Sequence, residues 1–179
     1  MNEGVADVIR QGREVLEQVL DGAHVTGEVP NSHPIFVHFP IALLIAVLVL
    51  DLIVIVGRRE RLAACSGVVL MMAAIGGAVA LVTGFMAHDA AEAMMPNAAL
   101  HETFENHEHA ALAATGIAVA MAAWRLALRL RMPSGGWRWA YLGLSVAAAV
   151  AIGLAGWLGG ELVYVHGVGT PIQQLVVAP

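Results

Sequence analysis

The sequence predicts an all-α protein: a four-span, up-down helix bundle in a membrane, preceded by an amphipathic surface helix. Three observations carry this. Apolar residues make up 59% of the 179-residue chain and charged residues only 13%, whereas soluble domains average roughly 45–50% and 25%. Four apolar runs, at residues 35–56, 62–87, 110–130 and 139–160, each approach the roughly 20 residues that a helix needs to cross hydrocarbon. Helices are the consistent solution because lipid cannot satisfy an open strand edge.

Residues 1–32 form an N-terminal extension. Within it, Val8, Ile9, Leu16, Val19 and Leu20 recur at partly helical spacing, which predicts an amphipathic helix on the outer surface. No basic start followed by an apolar core precedes the first run, so no cleavable signal peptide is expected and that run serves as the insertion signal. The membrane domain is expected at 33–169 and a C-terminal tail at 170–179.

The chain has no lysine, so orientation follows from arginine. Arg58, Arg59 and Arg61 lie between the first two runs, and Arg125, Arg129, Arg131 and Arg138 surround the link between the last two. The positive-inside rule places both links in the cytoplasm and both termini on the periplasmic side of a bacterial inner membrane. All eight histidines then fall at the outer end, with acidic residues such as Glu102, Glu105, Glu108 and Glu161. The net charge of −5 is thus polarised, and no basic footprint for nucleic acid exists.

The first span opens with His33 in the capping position and Pro34 in the first turn, where its missing donor is harmless. Pro40 removes a later hydrogen bond and is expected to kink the helix below His38 and aim that imidazole inward. Ala42, Ile45 and Val49 continue the same face, while His33 reads as a rim residue. Asp51 is expected to pair with Arg58 or with an arginine of another helix.

Small residues stripe the other spans: Ala73, Gly77, Ala80 and Gly84 in the second, Ala113, Gly116, Ala120 and Ala123 in the third, Ala149, Gly153, Gly156 and Gly160 in the fourth. Such stripes let backbones approach or leave room for a flat ligand. Extended outward, they lead to His88, four residues beyond Gly84, and to His109, four before Ala113. If the third helix starts early, His101, Glu105 and His109 share a face and His107 turns away. The fourth span closes with Glu161, Tyr164 and His166 beside paired glycines. Trp124, Trp137, Trp139 and Tyr141 mark the inner interface, and Trp157 and Tyr164 the outer.

Several chemistries find no support. Cys65 is the single cysteine, too few for a thiolate cluster. The sequence has no phosphate loop, nucleophile elbow or HExxH pair.

The segments HPIFVHFPIALL at 33–44, TGF at 83–85 and GGELVYVHGVG at 159–169 resemble the bacterial membrane family known as domain of unknown function 2231. The resemblance implies a four-helix domain similar in plan to small b-type cytochromes, in genomes that often join it to cytochrome c or Rieske-type domains. It matches His33, His38, Gly160, Glu161, Tyr164, His166 and Gly167 as site positions, with His107 or His109 from the third helix.

Residue chemistry points the same way. Two neutral imidazoles facing across a bundle can ligate the iron of haem b, which suits electron transfer. His38 with His107 or His109 is the expected pair. Arg10 and Arg13 are the outer arginines available to its propionates. An alternative is copper or zinc held by His88, His101 and Glu105, aided by His107, His109, Glu102, Met86, Met94 and Met95. A third reading is an accessory subunit of a larger membrane redox complex. Expected partners are the lipid bilayer and a periplasmic cytochrome c, a Rieske-type protein or quinone.

Overall fold

Apolar sequence this dense can satisfy its backbone only within helices, and helices make up the fold. A computed structural model describes residues 33–92 and 98–168. It contains α1 (His33–Ile55), a short 3-10 turn (Glu60–Leu62), α2 (Ala63–Glu92), α3 (Ala98–Ala127) and α4 (Trp137–Tyr164). All four helices are long and apolar enough to cross a membrane. The expected N-terminal surface helix with Arg10 and Arg13, the loop methionines Met94 and Met95, and the C-terminal tail lie outside the described residues.

The two middle helices are longer than the sequence spans. At 30 residues each they run for about 45 Å, against about 30 Å of hydrocarbon. The third helix therefore does start early, at Ala98, and lifts His101 to His109 onto regular helix.

Each helix packs against two neighbours in a ring, most closely within the hairpins α1–α2 and α3–α4, then between α1 and α4 and between α2 and α3. His33 and His107 thus project from helices on opposite corners. The core contains Leu44, Val47, Leu70, Ala73, Ala114, Ala118, Met121, Ala148 and Ile152. A small satellite of Leu100, Phe104 and Leu162, with Val168 against it, closes the histidine end. Gly167 adopts φ 70° there. Its turn returns the N–H groups of His166, Gly167 and Val168 to the carbonyls of Glu161, Val163 and Leu162, satisfying the last turn of α4.

The two hairpins repeat one another. Buried Pro40, Leu44, Val47 and Asp51 of α1 recur 74 residues later as buried Ala114, Ala118, Met121 and Arg125 of α3. Buried Ser66, Leu70, Ala73, Gly77 and Ala80 of α2 recur 75 residues later as buried Tyr141, Ser145, Ala148, Ile152 and Ala155 of α4. Two hairpins of the same up-down sense in a closed ring are related by a pseudo-two-fold axis along the bundle, the parallel-repeat arrangement known among membrane proteins.

Two stripes face otherwise than expected. In α4 Gly153 is exposed and Ala149, Gly156 and Gly160 are only half-buried, the interior being lined by Ser145, Ala148, Ile152 and Ala155. In α3 Ala113, Gly116, Ala120 and Ala123 are exposed, while Ala114, Thr115, Ala118, Met121 and Ala122 line the interior. The stripe of α2 does face inward, where Gly77 leaves room for the Thr115 hydroxyl. Tyr141, expected in the interfacial belt, is fully buried.

Candidate functional site: two imidazoles across the bundle

The inward face of α1 runs through His33, Val37, Pro40, Leu44, Val47 and Asp51, a spacing of three and four residues. His33 therefore looks into the bundle. Its Nδ1–H donates to the Ala80 carbonyl of α2 at 2.9 Å, with Thr83 Oγ1 at 3.3 Å. The equivalent His107 on α3 does the same in the other hairpin, its Nδ1–H donating to the Ala155 carbonyl of α4 at 2.8 Å. A carbonyl oxygen can only accept, so both Nδ1 atoms carry the proton and the ring lone pair of each neutral imidazole is on Nε2.

Each ring also rests on a glycine one turn beyond its acceptor. A Cβ at Gly84 would lie 3.1 Å from His33 Cε1, and one at Gly159 would lie 3.0 Å from His107 Cε1. The acceptors and glycines obey the same 75-residue repeat, Ala80 with Ala155 and Gly84 with Gly159. Across the pseudo-axis the two ring centroids are 6.3 Å apart and their planes meet at 89°.

The expectation for His38 is corrected. His38 is exposed, and its Nδ1–H turns back to the Pro34 carbonyl of its own helix at 2.6 Å. Pro40 is buried on the opposite, inward face, within one continuous helix, and His38 stays on the outward side. His109 is likewise exposed, two residues and about 200° around α3 from His107. The inward pair is His33 with His107, and the supposed rim residue is the one in the bundle.

Two further pairs of polar residues lie on the rim of this end. His88 Nδ1 lies 2.8 Å from Glu108 Oε1 and its ring packs on Phe104 with centroids 5.3 Å apart. His101 Nε2 lies 3.4 Å from Glu105 Oε1, one turn along α3. Among the described residues no three His, Cys, Asp or Glu side chains converge as a metal site, so His88, His101 and Glu105 are not brought to one point. Tyr164 is 89% exposed, and Gly160, Glu161 and His166 are half-buried at the end of α4.

Residues 30–171 match the model of a predicted membrane protein family, domain of unknown function 2231. The chain belongs to this family. It is a multi-pass membrane protein, and the match covers all four spans together with both imidazoles. No curated protein and no solved structure matches the chain.

The opposite end holds residues that sequence reasoning placed elsewhere. Asp51 accepts from Ser66 Oγ and from Ser145 Oγ, each at 2.5 Å, rather than from exposed Arg58; the arginine of another helix that it senses is Arg125 of α3, without a direct ion pair. Arg125, grouped with the loop arginines by its position in the sequence, is fully buried and donates to the Ala63 carbonyl and to Met132 Sδ. Gly67 makes room for it, since a Cβ there would lie 3.1 Å from Arg125 Nη2.

Proposed function

We propose that this protein binds haem b between His33 and His107 near the periplasmic face of a bacterial inner membrane, and exchanges electrons with a periplasmic cytochrome c, a Rieske-type protein or quinone. The observation that carries the reading is the imidazole pair itself. Two neutral rings from opposite corners of the bundle, each with its tautomer held by a backbone carbonyl, have the donor set that a bis-imidazole metal centre requires. The ring centroids are separated by 6.3 Å, so these two imidazoles would be the groups that hold a metal or haem placed between them.

When bound, iron with two imidazole ligands supplies one-electron transfer with no position left open for a substrate. The chain's own residues do the rest. Ala80 and Ala155 hold the Nδ1 protons, which keeps Nε2 basic and fixes the rotation of each ring. Gly84 and Gly159 bring the supporting helices against the imidazoles without an intervening side chain. The exposed edge of the bundle faces lipid, where quinone is soluble.

A single copper(I) ion is the second reading, favoured by the same compact pair because imidazole suits copper as well as iron. Visible spectra of the detergent-purified protein, oxidised and dithionite-reduced, with metal analysis of the same sample, separate the two. A sharp reduced haem band at one iron per chain is expected. A colourless protein with stoichiometric copper would move the assignment to the metal alone, and one with neither after haem supplementation would remove both.

A further inference from the structure

Five turns along α1 from His33 stands Asp51, and five turns along α3 from His107 stands Arg125, 18 residues in each case at 3.6 per turn. The pseudo-axis therefore passes a second set of inward groups, at the arginine end. Asp51, Ser66, Arg125, Tyr141 and Ser145 are all 2% exposed or less. In the repeat, Ser66 on Asp51 corresponds to Tyr141 on Arg125, whose guanidinium carbon lies 5.6 Å from the centre of the Tyr141 ring.

The polar accounting of this set does not close within the protein. The carboxylate is bonded by two serines, and Arg125 spends Nη1 and Nη2 on Met132 and the Ala63 carbonyl. Arg125 Nε–H and the Tyr141 hydroxyl have no partner at full hydrogen-bond geometry; the Arg125 side chain reaches toward the Tyr141 hydroxyl, and both groups sit in the electrostatic reach of Asp51. No direct ion pair joins Asp51 to Arg125 among the described residues. Two buried donors beside a carboxylate call for a neutral acceptor, because a second anion would be repelled. Water satisfies such a set, accepting from two groups and donating to a third.

We propose that Asp51, Arg125 and Tyr141 hold internal water, and that through this water the Asp51 carboxyl exchanges protons with the arginine-rich side of the membrane. The surrounding hydroxyls suit both forms of the acid. Ser66 and Ser145 donate to the carboxylate, and either can turn to accept from the carboxylic acid. Uptake forms one O–H bond on Asp51, with the proton delivered from bulk water through the internal water, and release reverses it. The charged and titratable groups facing Asp51 are Arg125 from α3 and Tyr141 from α4, while α2 presents the Ser66 hydroxyl. A bidentate Asp–Arg pair would lock the charged form; the separation seen here does not. This assignment is independent of whether haem or copper binds at the other end.

Infrared spectroscopy of the full chain in lipid vesicles, carrying carboxyl-labelled aspartate, tests it. A protonated-aspartate stretch should appear as pH falls, shift promptly in heavy water, and be lost in Asp51→Asn. Tyr141→Phe keeps the ring and removes the hydroxyl, so it should move the band or slow its exchange severalfold. That variant carries the test alone if Asp51→Asn does not fold. A band absent at every pH at which the protein stays folded, or unmoved in Tyr141→Phe, overturns the proposal.

Discussion

The two ends of the bundle are built on the same repeated hairpin and use it in opposite ways. At the histidine end the repeat brings together identical groups, His33 and His107, each already satisfied through Nδ1 by a carbonyl of its own hairpin. At the arginine end it brings together opposite charges, Asp51 and Arg125, whose helical partners are drawn from α2 and α4. Identical imidazoles gain little from one another, so their meeting on the axis favours something shared between them. Asp51 and Arg125 make no direct ion pair; each is held by neutral hydrogen-bond partners, and the two charges interact across the cluster at longer range. One duplicated frame thus provides a facing imidazole pair where the copies agree and a buried acid and base where they differ.

The comparison breaks most completely at the imidazoles. His33→Ala and His107→Ala should each abolish stoichiometric haem or metal, while His38→Ala and His109→Ala should leave it intact, as read from reduced spectra and metal content. Retained binding in His33→Ala with loss in His38→Ala would reverse the assignment.

At the other end, Asp51→Asn or Arg125→Met leaves a buried charge without its counterpart and should destabilise the fold, by less than the ~3–5 kcal/mol of a broken contact ion pair because the two are not in direct contact. The double variant should recover much of that loss. Thermal unfolding in detergent, run as a double-mutant cycle, measures the coupling, and additive single effects would mean that the two charges do not sense each other.

Smaller effects sharpen the symmetry. Gly84→Ala and Gly159→Ala each push a methyl group against one ring, an overpacking that costs about 1–3 kcal/mol. They should lower site occupancy by similar factors, and a large effect of one with none of the other would argue against equivalent half-sites. The smallest expected signal is a null one. With inward imidazoles at one end only, the isolated chain should not deliver electrons across sealed vesicles to an internal acceptor.

Much of this fold was legible in the sequence, and the reason is the solvent. Lipid demands long apolar helices, so run length alone locates α1 to α4, and the loop arginines mark one end. Helix rotation was harder to read because in a membrane helix the face toward lipid and the face toward the core are equally apolar. The stripe of Gly116 and Ala120 accordingly pointed outward, and His38 was favoured over His33. The signal that resolves rotation is the rare charge. A buried carboxylate or guanidinium must look into the bundle, and counting back five turns from Asp51 reaches His33, as five turns from Arg125 reaches His107. Arg125 concealed its half of that ruler among the loop arginines.

The sequence by itself determined an all-α membrane protein with four spans, its family, and a histidine-rich end opposite an arginine-rich one, because hydropathy and charge act residue by residue. Only the tertiary structure decided which imidazoles meet, that Arg125 and Tyr141 are interior, and that the two hairpins repeat. Those properties depend on the rotation of each helix about its own axis, which is set by small-residue contacts and buried hydrogen bonds between helices rather than by any one helix's composition.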